Sequence, residues 1–239
     1  MAVTIDTVYQ RVQALANKEQ RGYITPQEFN LFANQAQMDI FEQYFYDINQ
    51  FRRIPGNDTE YSNMLDILEE KISTFEKYKV AMSAMSGNQA TLPTDTYRLG
   101  TVWYGAAGYD IEVEKVGKKE LEYMLRQKLT SPIDKRPVYT RKSNTLLKLF
   151  PASPSTSYST SNVTCNYIAK PAEIVWGYVV VNEQALYNSN TSTNSELHES
   201  EETTLVMKIL ELAGITIKQP DIVQIAGQED LQKTQLEKQ

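Results

Sequence analysis

A run of helix signals that starts at Thr25 constrains the fold more than any other feature. Thr25-Pro26-Gln27-Glu28 combines an N-cap residue, a proline suited to the first helical position and a glutamate that can return to the cap. Apolar residues then recur every three or four positions, at Phe29, Ala33, Ala36, Ile40, Tyr44, Ile48 and Phe51. We therefore predict a helix of about 25 residues, roughly 37 Å long.

Similar stripes predict further helices on both sides of this one. In the first third of the chain the stripes are Ile5, Val8, Val12, Leu15 and Tyr61, Leu65, Leu68, Ile72, Phe75. After Pro171 we expect helices to return near Ala172. A helix from Glu196 to Ala213 should then end at Gly214, and an amphipathic tail helix should begin at Pro220.

The middle of the chain has the pattern of antiparallel strands. Residues 97–104 and 109–114 are two β-type runs joined by a glycine-rich link, which predicts a hairpin. A short helix from Lys118 to Leu129 should present Leu121, Met124, Leu125 and Leu129 on one face. Further strands are expected at 138–140, 146–150 and 162–169. Polar loops are expected at 151–161 and 188–195.

The order of these segments predicts an α+β fold. N- and C-terminal helices would form a helical bundle with an inserted antiparallel β-rich module. The expected boundaries are a helical part at 1–86, a β-rich module with one short helix at 87–170, and C-terminal helices with a polar tail at 171–239 that pack with the first part.

Composition argues against several classes of protein. No stretch approaches the ~18 apolar residues of a membrane span, and the first thirty residues lack the apolar core of a signal peptide. The single Cys165 cannot form an internal disulfide, which indicates a reducing compartment, and one His with one Cys argues against a zinc site. Tyr outnumbers Phe 15 to 7, and the chain has 17 Gln and 14 Asn. Such side chains suit surfaces that are hydrated before assembly and buried after it.

Catalytic signals are weak. The sequence has neither a phosphate-binding glycine loop nor a dinucleotide fingerprint, so we expect no cofactor and no small-molecule ligand. His198, the only imidazole, lies in a Ser/Glu-rich helix start and is better explained as a solvated cap residue than as a base. A carboxylate-dependent hydrolase of cell-surface glycans stays an alternative because the chain has 30 acidic residues. We nevertheless predict that the chain is not an enzyme.

Charge is distributed unevenly along the chain. Ten basic residues between Lys115 and Lys148 face three acidic ones, for +7, whereas the chain from Glu183 onward carries −6. The basic segment could contact nucleic acid, guide head-to-tail association between copies, or be an ordinary solvated surface. The candidate electrostatic contacts are Lys115, Lys118, Lys119, Lys135, Arg136, Arg141 and Lys142.

The long helix carries aromatic residues outside its main stripe. A helix that is apolar around so much of its circumference is buried on more than one side, either as the central helix of a bundle or at a subunit interface. The candidate interface residues are Phe32, Phe41, Phe45 and Tyr46.

Several short motifs occur in an order that can be compared with a known family. The chain carries, in sequence, Leu92-Pro93-Thr94-Asp95-Thr96-Tyr97-Arg98-Leu99, Pro137-Val138-Tyr139 and Leu147-Lys148-Leu149-Phe150-Pro151. They are preceded by a helical hairpin over residues 22–41 and followed by residues 165–171 and 206–214. This order over some 200 residues resembles the head-to-tail connector, or adaptor ring, proteins of short-tailed bacteriophages, including the crAss-like phages.

The resemblance implies a virion structural protein assembled in the cytoplasm of a bacterial host. It implies a ring of about a dozen copies between portal and tail that lines or seals the DNA channel. The expected partners are other copies, the portal protein, adjacent tail or ring proteins and, without specificity, packaged DNA, with no membrane involved. The family brings no catalytic residues, and the alternative of a DNA-binding module that uses residues 115–148 stays open.

Overall fold

A computed structural model describes residues 2–18, 24–52, 63–106, 109–152 and 158–216. The α-helices of these residues are α1 Ile5–Lys18, α2 Pro26–Phe51, α3 Met64–Ser73, α4 Lys118–Arg126 and α5 Glu202–Thr216. The strands are β1 Ala2–Val3, β2 Glu76–Ala81, β3 Ala84–Ser86, β4 Gln89–Thr91, β5 Thr96–Ala106, β6 Tyr109–Lys115, β7 Val138–Arg141, β8 Leu146–Phe150, β9 Val163–Ala169, β10 Tyr178–Val181, β11 Gln184–Tyr187 and β12 Ser195–His198. The predicted tail helix and residues 153–157 of the predicted loop lie outside the described residues.

The chain divides into two compact units. The helical unit combines Met1–Thr74 with Pro171–Gln239, and the sheet unit is Phe75–Lys170.

In the helical unit the start of α2 forms as predicted. Glu28 N donates to Thr25 Oγ1 at 3.3 Å, and Thr25 N donates to Glu28 Oε2 at 3.0 Å, which completes the capping box. The apolar face of α2 is buried from Phe29 to Tyr44. Helices α3 and α5 pack against α2, and α1 packs against α5. Strand β1, near the N-terminus, pairs antiparallel with β12, which precedes α5, in a two-stranded sheet.

The sheet unit is built on one curled, eight-stranded sheet that forms a half-barrel. The strand order is β2-β9-β5-β6-β7-β8-β4-β3. Alternate residues of the strands face one core, as the strict buried–intermediate alternation of β9 illustrates. Val102, Cys165, Leu147 and Leu149 are fully buried in that core.

The pair β6–β7 is parallel, whereas the other strand pairs of this sheet are antiparallel. A parallel pair needs a crossover connection, and α4 provides it. Leu121 of α4 packs with Val116, Val138 and Phe150 in a small second core. Strand β6 therefore changes partner, from β5 over its first part to β7 at Glu114 and Lys115.

The predicted fold class is wrong. The chain is α+β, but its dominant element is the large curled sheet, and it is not a helical bundle with an inserted β module. Residues 76–86, assigned to the helical part, form β2 and β3. Strand β2 pairs with β9, almost ninety positions later, and most of its side chains are exposed. Local periodicity does not reveal such a distant partner, so the sequence pattern does not predict these strands.

The C-terminal helix predictions also need correction. The chain after Pro171 is extended and then forms the hairpin β10–β11, so no helix returns near Ala172. Residues 195–198 form β12, and α5 runs through Gly214 to Thr216.

Two predicted stripes were too long. Helix α4 ends at Arg126, which leaves Leu129 97% exposed in a turn. On α1, Ile5, Val8 and Val12 are buried, but Leu15 is exposed.

Candidate functional site

Three amide side chains of α2 bind the main chain of the extended segment 171–177. Asn34 Oδ1 accepts from Ile174 N at 2.8 Å, and Asn34 Nδ2 donates to Ile174 O at 2.9 Å. Asn30 makes the equivalent pair of bonds with Trp176, and Gln37 Nε2 donates to Ala172 O at 2.7 Å. Helix positions 30, 34 and 37 thus match alternate residues of an extended chain, and the amides supply the hydrogen bonds that a neighbouring strand would supply. We call this contact the amide ladder.

Trp176, at the end of the amide ladder, lies in an aromatic stack. Its indole Nε1 donates to Asp6 Oδ1 at 3.1 Å, and its ring stacks on Tyr9 with centroids 4.0 Å apart. On Trp176 also lie Tyr178 and Tyr187, each with its centroid at 5.9 Å. These two tyrosines are the first cross-strand pair of β10–β11. The base of the hairpin is therefore fixed to the helical unit.

Gly177 allows the chain to turn from the ladder into the hairpin. A Cβ at this position would lie 2.2 Å from Thr191 Oγ1 and 2.7 Å from the Thr191 carbonyl carbon. Only glycine fits so close an approach of two backbone segments.

Beyond this base the hairpin projects without cover. We call residues Tyr178–Tyr187 the arm. The two-stranded sheet pairs with no other strand in the described part of the chain. Val179 pairs with Leu186 on one face and Val180 with Ala185 on the other, so both faces are apolar. Val180 is 63% exposed and Leu186 52% exposed. A lone two-stranded hairpin is marginally stable in water, and apolar residues on both faces are typical of strands covered on both sides.

The turn at the tip of the arm has an unfavourable residue. Asn182 and Glu183 connect the strands with φ of 50° and 64°. This left-handed geometry suits two-residue hairpin turns, and asparagine tolerates it, but the second position normally holds glycine. Glu183 therefore keeps a carboxylate at the tip at a cost in backbone strain.

The sheet unit contains a cleft where β6 changes partner. Register pairs between β5 and β6 end at Val102 and Val113, and Lys115 pairs with Tyr139 of β7 instead. The strands separate there and leave a cleft of about 250 Å³. Its lining is Leu99, Gly100, Thr101, Val102, Glu112, Val113, Lys115, Tyr139 and Arg141.

The cleft has a net positive lining. Lys115 and Arg141 bring two positive charges and Glu112 one negative charge. Arg141 is held in place, because Nε donates to Ser143 O at 3.3 Å and Nη2 to Asn144 O at 2.8 Å. Its Nη1 forms no hydrogen bond within the described residues. A fixed guanidinium with a free edge, beside an ammonium, is suited to a carboxylate.

Tyr139 forms the inner wall of the cleft. Burial raises the pKa of its hydroxyl, and the nearby Arg141 guanidinium acts in the opposite direction. The phenol is therefore neutral at physiological pH and can donate a hydrogen bond to an anion in the cleft.

The structure brings only two of the seven predicted electrostatic residues together. Lys115 and Arg141 line the cleft, whereas the other five lie on α4 and on the loops that flank β7 and are not part of its lining. All seven are exposed, and none belongs to a salt bridge between described residues. Those five are Lys118, Lys119, Lys135, Arg136 and Lys142.

The four predicted interface aromatics do not form one surface. Phe41 and Phe45 are buried and pack edge to face with centroids 5.2 Å apart. Phe32 is half-buried, and Tyr46 is 67% exposed. Two of the four thus belong to the core of their own unit, and Tyr46 is the one candidate among them that is mostly exposed.

His198 and Cys165, the residues with the most reactive side chains, are held in the structure by a capping hydrogen bond and by burial, respectively. His198 Nδ1 accepts from Ser200 N at 3.3 Å and caps a short 3₁₀ turn, which confirms the predicted cap. Cys165 is buried in the sheet core, and this burial raises its thiol pKa to about 11. No group of three metal-binding side chains occurs in the part of the chain that the structure describes.

The two units carry opposite charge. Residues 75–170 contain 14 Lys and Arg against eight Asp and Glu, a formal charge of +6. The chain's total of −6 leaves −12 on the residues of the helical unit. The uneven charge seen in the sequence thus follows the boundary between the units.

Neither the arm nor the cleft is predicted from the sequence. The run Tyr178–Val181 and the apolar pair that follows two residues later were a usable hairpin signal, but the Asn-Glu turn lacks the glycine that normally marks one. The cleft depends on a change of strand partner, which local pattern does not encode.

No protein-family model matches the chain, and no curated protein aligns with it significantly. Among the described helices, none combines the length and the apolar character needed to cross a bilayer.

Proposed function

We propose that this chain is a structural protein that assembles head to tail into a ring, as do the phage connector proteins that its sequence resembles. The observation that carries the proposal is the arm: a hairpin fixed at its base by Trp176, apolar on both faces, and uncovered. An element of this kind is stabilised when a neighbouring molecule covers it.

A ring needs two different, complementary surfaces on each copy, because every interface is heterologous. The arm belongs to the acidic helical unit, and the basic cleft belongs to the sheet unit. This division supports association of one unit with the other unit of the next copy. In a virion, such a ring would lie between portal and tail and surround the DNA channel.

Electron microscopy of the concentrated full-length protein tests the proposal. We expect closed rings or arcs of regular curvature, and we expect Val180→Asp to reduce them, because a carboxylate on the uncovered face opposes burial. Circular dichroism of the variant controls for folding. Wild-type protein without any oligomer, or a variant that assembles normally, would contradict the proposal.

A second candidate function is nucleic-acid binding, which the exposure of all seven candidate basic residues favours. Duplex binding by the isolated protein that weakens steeply with salt would support it. Charge reversal at Lys135, Arg136, Arg141 and Lys142 should then abolish binding. Absence of binding at low salt would exclude this candidate.

A further inference from the structure

We infer that Glu183, at the tip of the arm of one copy, docks in the cleft of the next copy between Lys115 and Arg141. This inference rests on the proposed head-to-tail assembly and names the two surfaces that meet in it. The partner is therefore a second copy of this chain, and the contact is a carboxylate bound by an ammonium and a guanidinium.

Glu183, at the tip of the arm, has a strained backbone and a side chain that is unpaired among the described residues. Glu183 has φ of 64°, in a region that residues with a Cβ rarely adopt, at a position where glycine would relieve the strain. Its side chain forms no hydrogen bond or salt bridge with the described residues. A strained, unpaired carboxylate at the end of an apolar projection has the properties of a contact residue whose partner lies on another molecule.

The lining of the cleft supplies the second argument. Lys115, Tyr139 and Arg141 occupy the same face of β6 and β7, since strand alternation places register partners and second neighbours together. With Glu112 included, the lining carries one excess positive charge. One incoming carboxylate neutralises it. The walls formed by Leu99 and Val102 are apolar, as are the strands that flank Glu183 on the arm.

Zero-length carbodiimide coupling of the full-length protein tests the contact directly, because it joins a carboxylate to a lysine amine only where the two touch. We expect a dimer band in which mass spectrometry finds Glu183 joined to Lys115. Lys115→Arg should lose this product yet keep association, since it retains the charge but not the amine. Coupling of Glu183 to a lysine of its own chain, coupling of Glu183 to a lysine other than Lys115, or no coupled dimer would overturn the inference.

A charge swap provides the second test. Glu183→Lys and Lys115→Glu should each weaken self-association about tenfold or more, and the double variant should recover most of the loss. Glu173→Lys and Lys128→Glu, at exposed positions that belong to neither the arm nor the cleft lining, are the matched controls for net charge. Failure of the swap to restore association overturns the docking.

The arm variant separates this inference from the proposed function. If Val180→Asp prevents assembly while Glu183→Lys has no effect, the arm joins copies but docks elsewhere, and only the inference fails. If neither variant affects assembly, the proposed function fails as well.

Discussion

The ammonium of Lys71 lies 2.6 Å from the carboxylate of Glu201, and both side chains are almost fully buried. The pair joins α3 to the turn that precedes α5, so it connects segments of the helical unit that are 130 positions apart in the sequence. Lys71 also lies over the ring of Tyr44 on α2, at 5.9 Å from its centroid. One ion pair thus holds three helical segments in contact.

Removal of one partner should be costly because it leaves the other charge buried alone. We expect Glu201→Gln to lower the free energy of unfolding by about 3 kcal/mol, measured by urea denaturation. Arg11, which is exposed, forms an ion pair with the half-buried Glu202, and Arg11→Gln should cost less than about 1 kcal/mol because the arginine lies in solvent. Equal effects of the two substitutions would show that burial of the Lys71–Glu201 pair does not increase its contribution to the free energy of unfolding.

The amide ladder makes a second stability prediction. Asn34→Ala leaves both backbone groups of Ile174, a fully buried residue, without a partner. We expect a loss of about 2–3 kcal/mol in urea denaturation, although alanine favours the helix. Gln35→Ala, one position along on the exposed side of α2, should be neutral. An unchanged free energy of unfolding in Asn34→Ala would mean that water replaces the hydrogen bonds of the amide ladder.

Substitution at the tip of the arm should separate stability from assembly. Glu183→Gly relieves the strain of the left-handed φ and should stabilise the hairpin by about 1 kcal/mol, seen as slower hydrogen exchange of the arm amides. Self-association should weaken in the same variant, because the carboxylate is gone. Gln184→Gly, inside the strand, should instead destabilise the arm. A variant at 183 that is both more stable and equally associated would argue against a role of the carboxylate.

Alkaline pH should destabilise the sheet unit. Burial raises the pKa of Cys165 to about 11, and burial together with the hydrogen bond to Asp95 raises the pKa of Tyr167 to about 12. Both groups lose their protons more readily in the unfolded chain, so stability that is complete below pH about 9 should be lost as pH rises toward 12. The buried thiol of Cys165 should contribute on the order of 2 kcal/mol.

Denaturation midpoints measured between pH 8 and about 12 test this prediction. The double variant Cys165→Ala with Tyr167→Phe should have a flatter pH dependence than the wild type. Identical curves would show that other groups dominate the alkaline transition.

The sequence was most informative where structure depends on near neighbours. The capping box at Thr25 and Glu28, the hairpin β5–β6, the short helix α4 and the pair β7–β8 all follow from residues within a few positions of each other. Capping, turn chemistry and hydrophobic period act over that range, and the structure confirms these elements, although α4 ends at Arg126 rather than at Leu129.

Structure that depends on distant partners was not predictable in this way. Segment 171–177 is extended because Asn30, Asn34 and Gln37, some 140 positions earlier, satisfy its backbone. The surplus of Asn and Gln was visible in the composition, but its use as a backbone partner was not. The same holds for the cleft, of which only Lys115 and Arg141 had been singled out by charge.

We propose above that the arm joins copies of this chain. Sedimentation velocity of the full-length wild type and of Val180→Asp, over a range of concentrations at low salt, tests it most directly. We expect a wild type whose mass increases with concentration and a variant that is folded and stays monomeric. A wild type that is monomeric throughout, or a variant that associates as the wild type does, would contradict it.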